Sequence, residues 1–324
     1  MTPAFVCSVG GSNLGNGIGS RLLELVVTDN DGSESDSVSI RVDDRNGEVA
    51  IPPRGGIMAV ALGYKETGVM PMGLYTVDEV TCDGYPMSLT VTGRSADLKQ
   101  KFKSQRAQGY ENKTLGDVLT EVAGRNNLAP FISGSINAIQ YKYLAQDESD
   151  LAFIQRLANK HDAVVNAKNG KLIFAKKGET DFGVVAVTVP GQLLSYEVTF
   201  ADRAAHEKSM ASWWDFDEAK RTREEASGTE GGFYEMHSLW PDGQAEAQEV
   251  AKSKASALGR DEKTGRFEVV GNPLIRAEMH LVVGGVRPGV DGLYRIKTAT
   301  HRLTNQGYQT EMSVELPAMG GGGG

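Results

Sequence analysis

Cysteine is scarce: Cys7 and Cys82 are the only two in 324 residues. Two lone thiols, each in a stretch that reads as strand, supply neither a disulfide framework nor a zinc constellation, so buried, reduced thiols are expected. Long hydrophobic runs are missing as well. No segment approaches the ~20 apolar residues that span a bilayer as a helix, and no membrane insertion is expected. The N-terminal stretch MTPAFVCSVGGSN has no basic region and too short an apolar run for a secretory signal. Positive charge is in deficit: 34 Lys and Arg against 42 Asp and Glu leave a formal net charge of −8. Phosphate backbones repel such a chain, and no helix-turn-helix signal or basic patch offsets this, which argues against a nucleic-acid-binding regulator.

Catalytic signatures are equally sparse. The five histidines, His161, His206, His237, His280 and His301, fall in no H-x-x-x-H or H-E-x-x-H spacing, so no metal site is read from them. No G-x-S-x-G motif is present. Asp215, Asp217 and Glu218, beside Trp213 and Trp214, offer the paired carboxylates that a glycosidase uses. In a highly charged stretch these read as solvated side chains, and the two tryptophans as core or interface anchors. Gly15, Gly17 and Gly19 resemble a phosphate-cradling run, but strand-like LLELVV follows where that fingerprint needs a helix. The acidic stretch Asp29 to Asp36 fails the calcium-loop register, since Gly32 is fourth and Ile40 twelfth from Asp29; a solvated hairpin loop is expected. No catalytic, cofactor-binding or metal-ligating residue is assigned, no cofactor is expected, and the chain does not read as an enzyme.

What the sequence has is glycine, 39 in all, set mostly between short alternating runs. That is the texture of a turn-rich β protein. Strands are predicted at Leu22–Thr28, Ser37–Val42, Ile57–Gly63, Gly73–Cys82 and Met87–Gly93, enough for a sandwich or small barrel. Leu98–Tyr110 is basic and polar and reads as an exposed linker. Thr114 and Asp117 form a capping box before the helical spacing of Leu115, Val118, Leu119 and Val122, which Pro130 stops. A second helix begins near Asp147 with Leu151, Ile154, Leu157 and Ala158 as its apolar stripe. Asn169-Gly170 between two alternating runs predicts a hairpin. Strand character returns near Val184, with Leu194–Phe200 and a long strand over Glu207–Trp214. Asp215–Gly232 reads as loop and Gln244–Leu258 as a helix rich in good helix formers. Phe267–Val270, Glu278–Val283, Gly292–His301 and Tyr308–Leu316 complete a second strand-rich set. The fold class is therefore mainly β with an α+β insert. The boundaries are a first β domain over 1–97, a helix–helix–hairpin domain over 98–183, a second β domain with one helix over 184–319, and a flexible glycine tail over 320–324.

Several of these pieces, in order, resemble the phage late control gene D protein family, tail hub proteins related to the N-terminal part of VgrG. They include Ser37–Asp44 (SVSIRVDD), Pro52–Gly56 (PPRGG), Ala59–Tyr64 (AVALGY), Gly73–Val80 (GLYTVDEV) and Leu89–Ala96 (LTVTGRSA). Thr114–Leu119, Gln146–Ala158 (QDESDLAFIQRLA) and Asn169–Phe174 (NGKLIF) follow, then Gly271-Asn-Pro273, Asp291–Ile296, His301-Arg-Leu303 and Gly307–Thr310. The resemblance implies two tube-like β-barrel domains per chain flanking the small inserted domain. It implies a homotrimer whose six barrels join a sixfold tail tube to a threefold spike, in a contractile phage tail or related injection system. Tail tube, spike, tape measure and baseplate wedge proteins are the implied partners, and DNA only a transient cargo through the channel. The implied location is the virion baseplate, after assembly in the host cytoplasm. The chain ends soon after the second β region, so the spike is expected to be a separate protein. A cell-wall hydrolase acting at the tail tip is the alternative.

Overall fold

A computed structural model describes residues 1–9, 12–13, 20–32, 35–95, 102, 104–168, 170–177, 179, 182–200, 208–215, 219–227, 234–237, 251, 253 and 263–317. The glycine run at 15–19, Asn169, Asp217, Glu218 and the tail 320–324 lie outside these residues, and so does nearly all of the expected helix 244–258. Within described strands the side chains of Trp213 and Trp214 are likewise outside them.

The first β region holds β1 (Pro3–Val9), β2 (Ser12–Asn13), β3 (Leu22–Asn30), β4 (Ser37–Asp43), β5 (Ile57–Tyr64), β6 (Gly68–Asp83) and β7 (Ser88–Ser95). The middle region holds β8 (Gln108–Thr114), α1 (Leu115–Arg125), β9 (Ala129–Ile132), α2 (Gly134–Asn137), β10 (Gln140–Gln146), α3 (Asp150–Lys160), β11 (Ala163–Lys168) and β12 (Lys171–Lys176). The last holds β13 (Val184–Thr188), β14 (Leu193–Phe200), β15 (Lys208–Asp215), β16 (Lys220–Ser227), β17 (Tyr234–His237), β18 (Lys263–Val270), β19 (His280–Gly284), β20 (Gly292–Thr304) and β21 (Gly307–Glu315). The protein is mainly β, as the alternating runs predict.

The chain divides into two compact units. One comprises Met1–Asp97, Phe182–Val198 and Gly265–Val314, the other Leu98–Asp181, Thr199–Thr264 and Glu315–Gly324. In the first unit thirteen strands share one sheet, because β3 pairs antiparallel with β20. Strand alternation explains how this sheet buries itself. Val38, Ile40 and Val42 point inward from β4 while Ser37, Ser39 and Arg41 point outward. Two separate apolar clusters result. Cys7, Leu25, Ile40, Met58, Leu62 and Tyr75 are at the heart of one, and Phe267, Leu281, Tyr294, Ile296 and Met312 of the other.

The two clusters are wrapped by strands in the same order. Around the first, the order is β1–β5–β6–β7–β4–β3; around the second, β13–β19–β20–β21–β18–β14. Labelled a to f along the chain, both read a–d–e–f–c–b. The register agrees as well: Leu74 lies opposite Ala59 and Tyr75 opposite Met58, as Leu293 lies opposite Val282 and Tyr294 opposite Leu281. One strand differs, since β1 runs antiparallel to β5 whereas β13 runs parallel to β19.

In the second unit α1 and α3 pack with β8–β12 around Leu119, Phe153, Leu157, Leu172 and Phe174. The capping box forms as predicted: Asp117 N–H donates to the Thr114 hydroxyl at 3.0 Å, and Thr114 N–H donates to the Asp117 carboxylate at 3.2 Å. The hairpin forms too, with β11 and β12 antiparallel and Gly170 at φ 72°. The expected linker is not one. Phe102 and Tyr110 are 1% exposed, and Gln108–Thr114 is a strand. Two aromatics anchor that polar stretch to the core. Pro130 lies in β9 rather than just past a helix, because α1 already ends at Arg125, capped by Asn126, and Asn127 then takes φ 56°. Asp215–Gly232 is not wholly loop, since its charged residues 220–227 form β16, paired with β15.

Candidate functional site

The acidic run that begins at the end of β3 is the feature that the structure changes most. It was expected to be solvated, yet Asp29 and Asn30 are 7% and 9% exposed. They end β3 where it meets the segment Asn272–Glu278 and β20. Asp29 accepts from Ala277 N–H at 3.3 Å and lies 3.9 Å from Arg276 Nε. Asp31 and Glu278 share Arg295, whose guanidinium is 3.1 Å from the first carboxylate and 2.7 Å from the second. All three side chains are nearly or fully buried, and charges so placed persist only when paired and hydrogen-bonded. Glu278 adopts φ 72°, a left-handed backbone that a glutamate takes up only when its surroundings fix it.

Beside this cluster lies His301, fully buried. Its Nε2 is 3.0 Å from the Ile275 carbonyl, which can only accept, so Nε2 carries the proton. Its Nδ1 therefore accepts, facing the Tyr308 hydroxyl at 2.9 Å and the Thr310 hydroxyl at 3.1 Å. Burial, with Arg276 adding to it, holds the imidazole pKa down at about 4, so the ring is neutral near pH 7. Thr310 in turn accepts from Asn272 N–H, and Tyr64 donates to the Gly271 carbonyl at 2.7 Å. A Cβ on Gly271 would sit 2.2 Å from the Tyr308 ring, so only glycine fits there.

A second recurrent feature is the Gly-Leu-Tyr triplet at 73–75 and 292–294. The glycines take φ 147° and 143°, the leucines are exposed, and both tyrosines are buried. Each tyrosine hydroxyl donates to a backbone carbonyl just upstream, Met72 for Tyr75 and Val290 for Tyr294. Burial pushes both phenols upward.

These arrangements are structural chemistry. Their hydrogen bonds and ion pairs join β3, β20 and β21 to the segment between β18 and β19, and among the described residues no three His, Cys, Asp or Glu side chains are placed to hold a metal ion. Among the described residues, no helix is long and apolar enough to cross a membrane. Of the residues considered from sequence, His161 is buried against Tyr141 with its Nε2 2.7 Å from the hydroxyl, and Asp215 ends β15. Cys7 is buried, its thiol pushed up to about 11 by burial, while Cys82 is exposed on β6 rather than buried.

The model of the phage tail baseplate hub (GPD) family matches residues 74–307. The chain belongs to this family. A probable baseplate hub protein of Escherichia phage 186 is 32% identical over 220 residues, covering 66% of this chain and 56% of that protein. The chain thus spans little more than half the length of that relative. The fold is shared with solved structures as well. The 43 kDa tail protein of prophage MuSo2 from Shewanella oneidensis has a TM-score of 0.74 at 14% identity, covering 98% of this chain and 99% of that one. The E. coli c3393 protein, described as a type VI secretion component similar in structure to T4 tail proteins gp27 and gp5, has a TM-score of 0.59 at 11% identity. It covers 98% of this chain and 77% of that one. At these identities the structures speak for the fold.

Proposed function

We propose that this chain is a structural baseplate hub, a trimeric symmetry adaptor joining a sixfold tail tube to a threefold spike in a contractile phage tail or related injection system. One observation carries this reading beyond family membership: a single strand order, a–d–e–f–c–b, occurs twice with matching register. Three chains arranged about a threefold axis would present six such strand sets, which is the arithmetic a sixfold-to-threefold joint needs. The turn Val189–Gln192 also ties β13 to β14, the two end strands of the second set, in keeping with a tube-like barrel there. On this reading 1–97 and 184–319 are the tube-like barrel domains and 98–183 the inserted domain.

The partners follow from the same reading: the tail tube and spike on the two end faces, tape measure and wedge proteins around them, and DNA only in passage. The place of action is the virion baseplate, after assembly in the host cytoplasm. Binding surfaces do the work and no reaction is assigned; the cell-wall hydrolase alternative draws no support from the relatives above. The test is the mass of the purified protein by light scattering, alone and with a candidate spike protein from the same source. A trimer in either condition is expected. A monomer in both, at concentrations where the chain is folded, would overturn the adaptor.

A further inference from the structure

The left-handed backbone at Glu278 has a counterpart in the first strand set. There Gly55 N–H donates to the Val77 carbonyl and Val77 N–H to the Gly56 carbonyl, both at 2.8 Å. In the second set Glu278 N–H donates to the Ile296 carbonyl at 2.8 Å and Ile296 N–H to the Met279 carbonyl at 2.9 Å. Tyr75 and Tyr294 fix the register, so Val77 corresponds to Ile296 and Gly55 to Glu278. Their φ angles are 79° and 72°. The shared topology thus demands a left-handed residue at this point, and glycine meets the demand without cost. A glutamate there carries a backbone cost that the fold itself does not require. The same register sets Thr76 in the place of Arg295. These two departures of the second set from the first are each other's partners, 2.7 Å apart.

We infer that Glu278 and Arg295 form a clasp that pins the β3–β4 connection to the second strand set and closes the open end of the β3–β20 ladder. The last pair of that ladder is Asn30 with Thr298. Beyond it the connection folds back on Asn30, whose N–H donates to the Asp36 carboxylate at 3.0 Å and whose side-chain amide donates to the Ser35 carbonyl at 3.2 Å. Asp31, the first residue past the strand, is what the clasp holds. Arg295 donates from Nε and Nη2 to one Glu278 oxygen, at 3.1 and 2.7 Å, and from Nη2 to Asp31 at 3.1 Å. Glu278 is thus a positioning residue: by gripping Nε it fixes the guanidinium plane and aims Nη2 at Asp31. Burial keeps these charges little screened by salt, so the grip holds at ionic strengths that weaken surface pairs. The clasp lies within one chain and does not depend on the trimer.

The experiment uses the full chain and reads native-state hydrogen exchange by mass spectrometry, comparing peptides over 28–36 with peptides over 22–26 at the far end of β3. Glu278→Gly installs the residue type that the first set carries and relieves the backbone. It should nonetheless speed exchange over 28–36 by roughly tenfold or more relative to 22–26, because the ladder opens from its released end. Asp31→Ala, which leaves the Glu278–Arg295 pair intact, should do the same. In the double variant the acceleration should be no larger than in the faster single one, since both changes open one clasp. Unchanged or higher protection over 28–36 in either single variant would overturn the clasp. Equal acceleration at both ends of β3 would also overturn it, as would accelerations that multiply in the double variant. Should Glu278→Gly fail to fold, Asp31→Ala alone decides: no local acceleration refutes the clasp.

Discussion

The two strand sets of the large sheet share order and register but not their chemistry. The first is closed over aliphatic and tyrosine side chains, with Thr76 at the register position that Arg295 occupies in the second. The second puts a guanidinium there and holds it with Asp31 from the first set and Glu278 from its own. The connections differ too. Set one passes from β3 to β4 through residues 31–36, whereas set two makes the same step, β14 to β18, through residues 201–262 with a sheet of their own. Inward-facing apolar positions and pairing register define this topology, while outer faces, ionic ties and connections are free to diverge.

The largest expected effect tests that asymmetry. Arg295→Ala removes the guanidinium that the carboxylates of Asp31 and Glu278 share and should cost about 3–5 kcal/mol by chemical denaturation, while Thr76→Ala at the corresponding position should cost under ~0.5 kcal/mol. Equal losses would mean that the ionic tie adds nothing. Next in size is the acid response of the second set. His301 is held neutral, with its folded pKa depressed to about 4 from an ordinary value near 6.5. The unfolded chain therefore binds that proton first, and stability present above pH 6.5 is lost as pH falls toward 4, by on the order of 3 kcal/mol. His301→Gln should flatten the denaturation midpoint over that window, and an unchanged slope would remove His301 as its source.

Smaller effects bear on the shared triplet. Gly73→Ala and Gly292→Ala should each cost about 1–2 kcal/mol, because both glycines lie in left-handed backbone; Gly73 should suffer more, its Cβ falling 3.1 Å from the Tyr75 hydroxyl. Tyr75→Phe and Tyr294→Phe should each cost about 1 kcal/mol, the worth of one hydroxyl-to-carbonyl bond. A loss at only one tyrosine would show that the resemblance of the two sets stops at the backbone.

Much of the fold was legible because buried strands alternate. Runs such as Ser37–Val42 and Ile57–Gly63 carry their inward face openly, and the structure extends each by one residue. The capping box and hairpin were legible because they are local. Strand β8, QGYENKT, was hidden: it has one inward aromatic, Tyr110, among polar residues, and pairs with β10 only through tertiary packing. The ionic tie was hidden for a different reason. Asp31 and Arg295 are separated by 264 positions, and nothing in an acidic run reveals that its end will be buried. The available hint was Arg295 itself, a charge between Tyr294 and Ile296 in a run otherwise fit for the core. The triplets at 73–75 and 292–294 stand plainly in the sequence, but their equivalence appears only once register places them.

The pairing of β3 with β20 runs from Asn30 opposite Thr298 to Glu24 opposite Thr304 without interruption. It makes the two strand sets mechanically one body: turning one against the other would tear a continuous backbone ladder. On the proposed hub reading, a chain at the base of a tail would carry load through this ladder rather than through a hinge. Any bending would then fall to joints between molecules, leaving the sheet itself to behave as a beam.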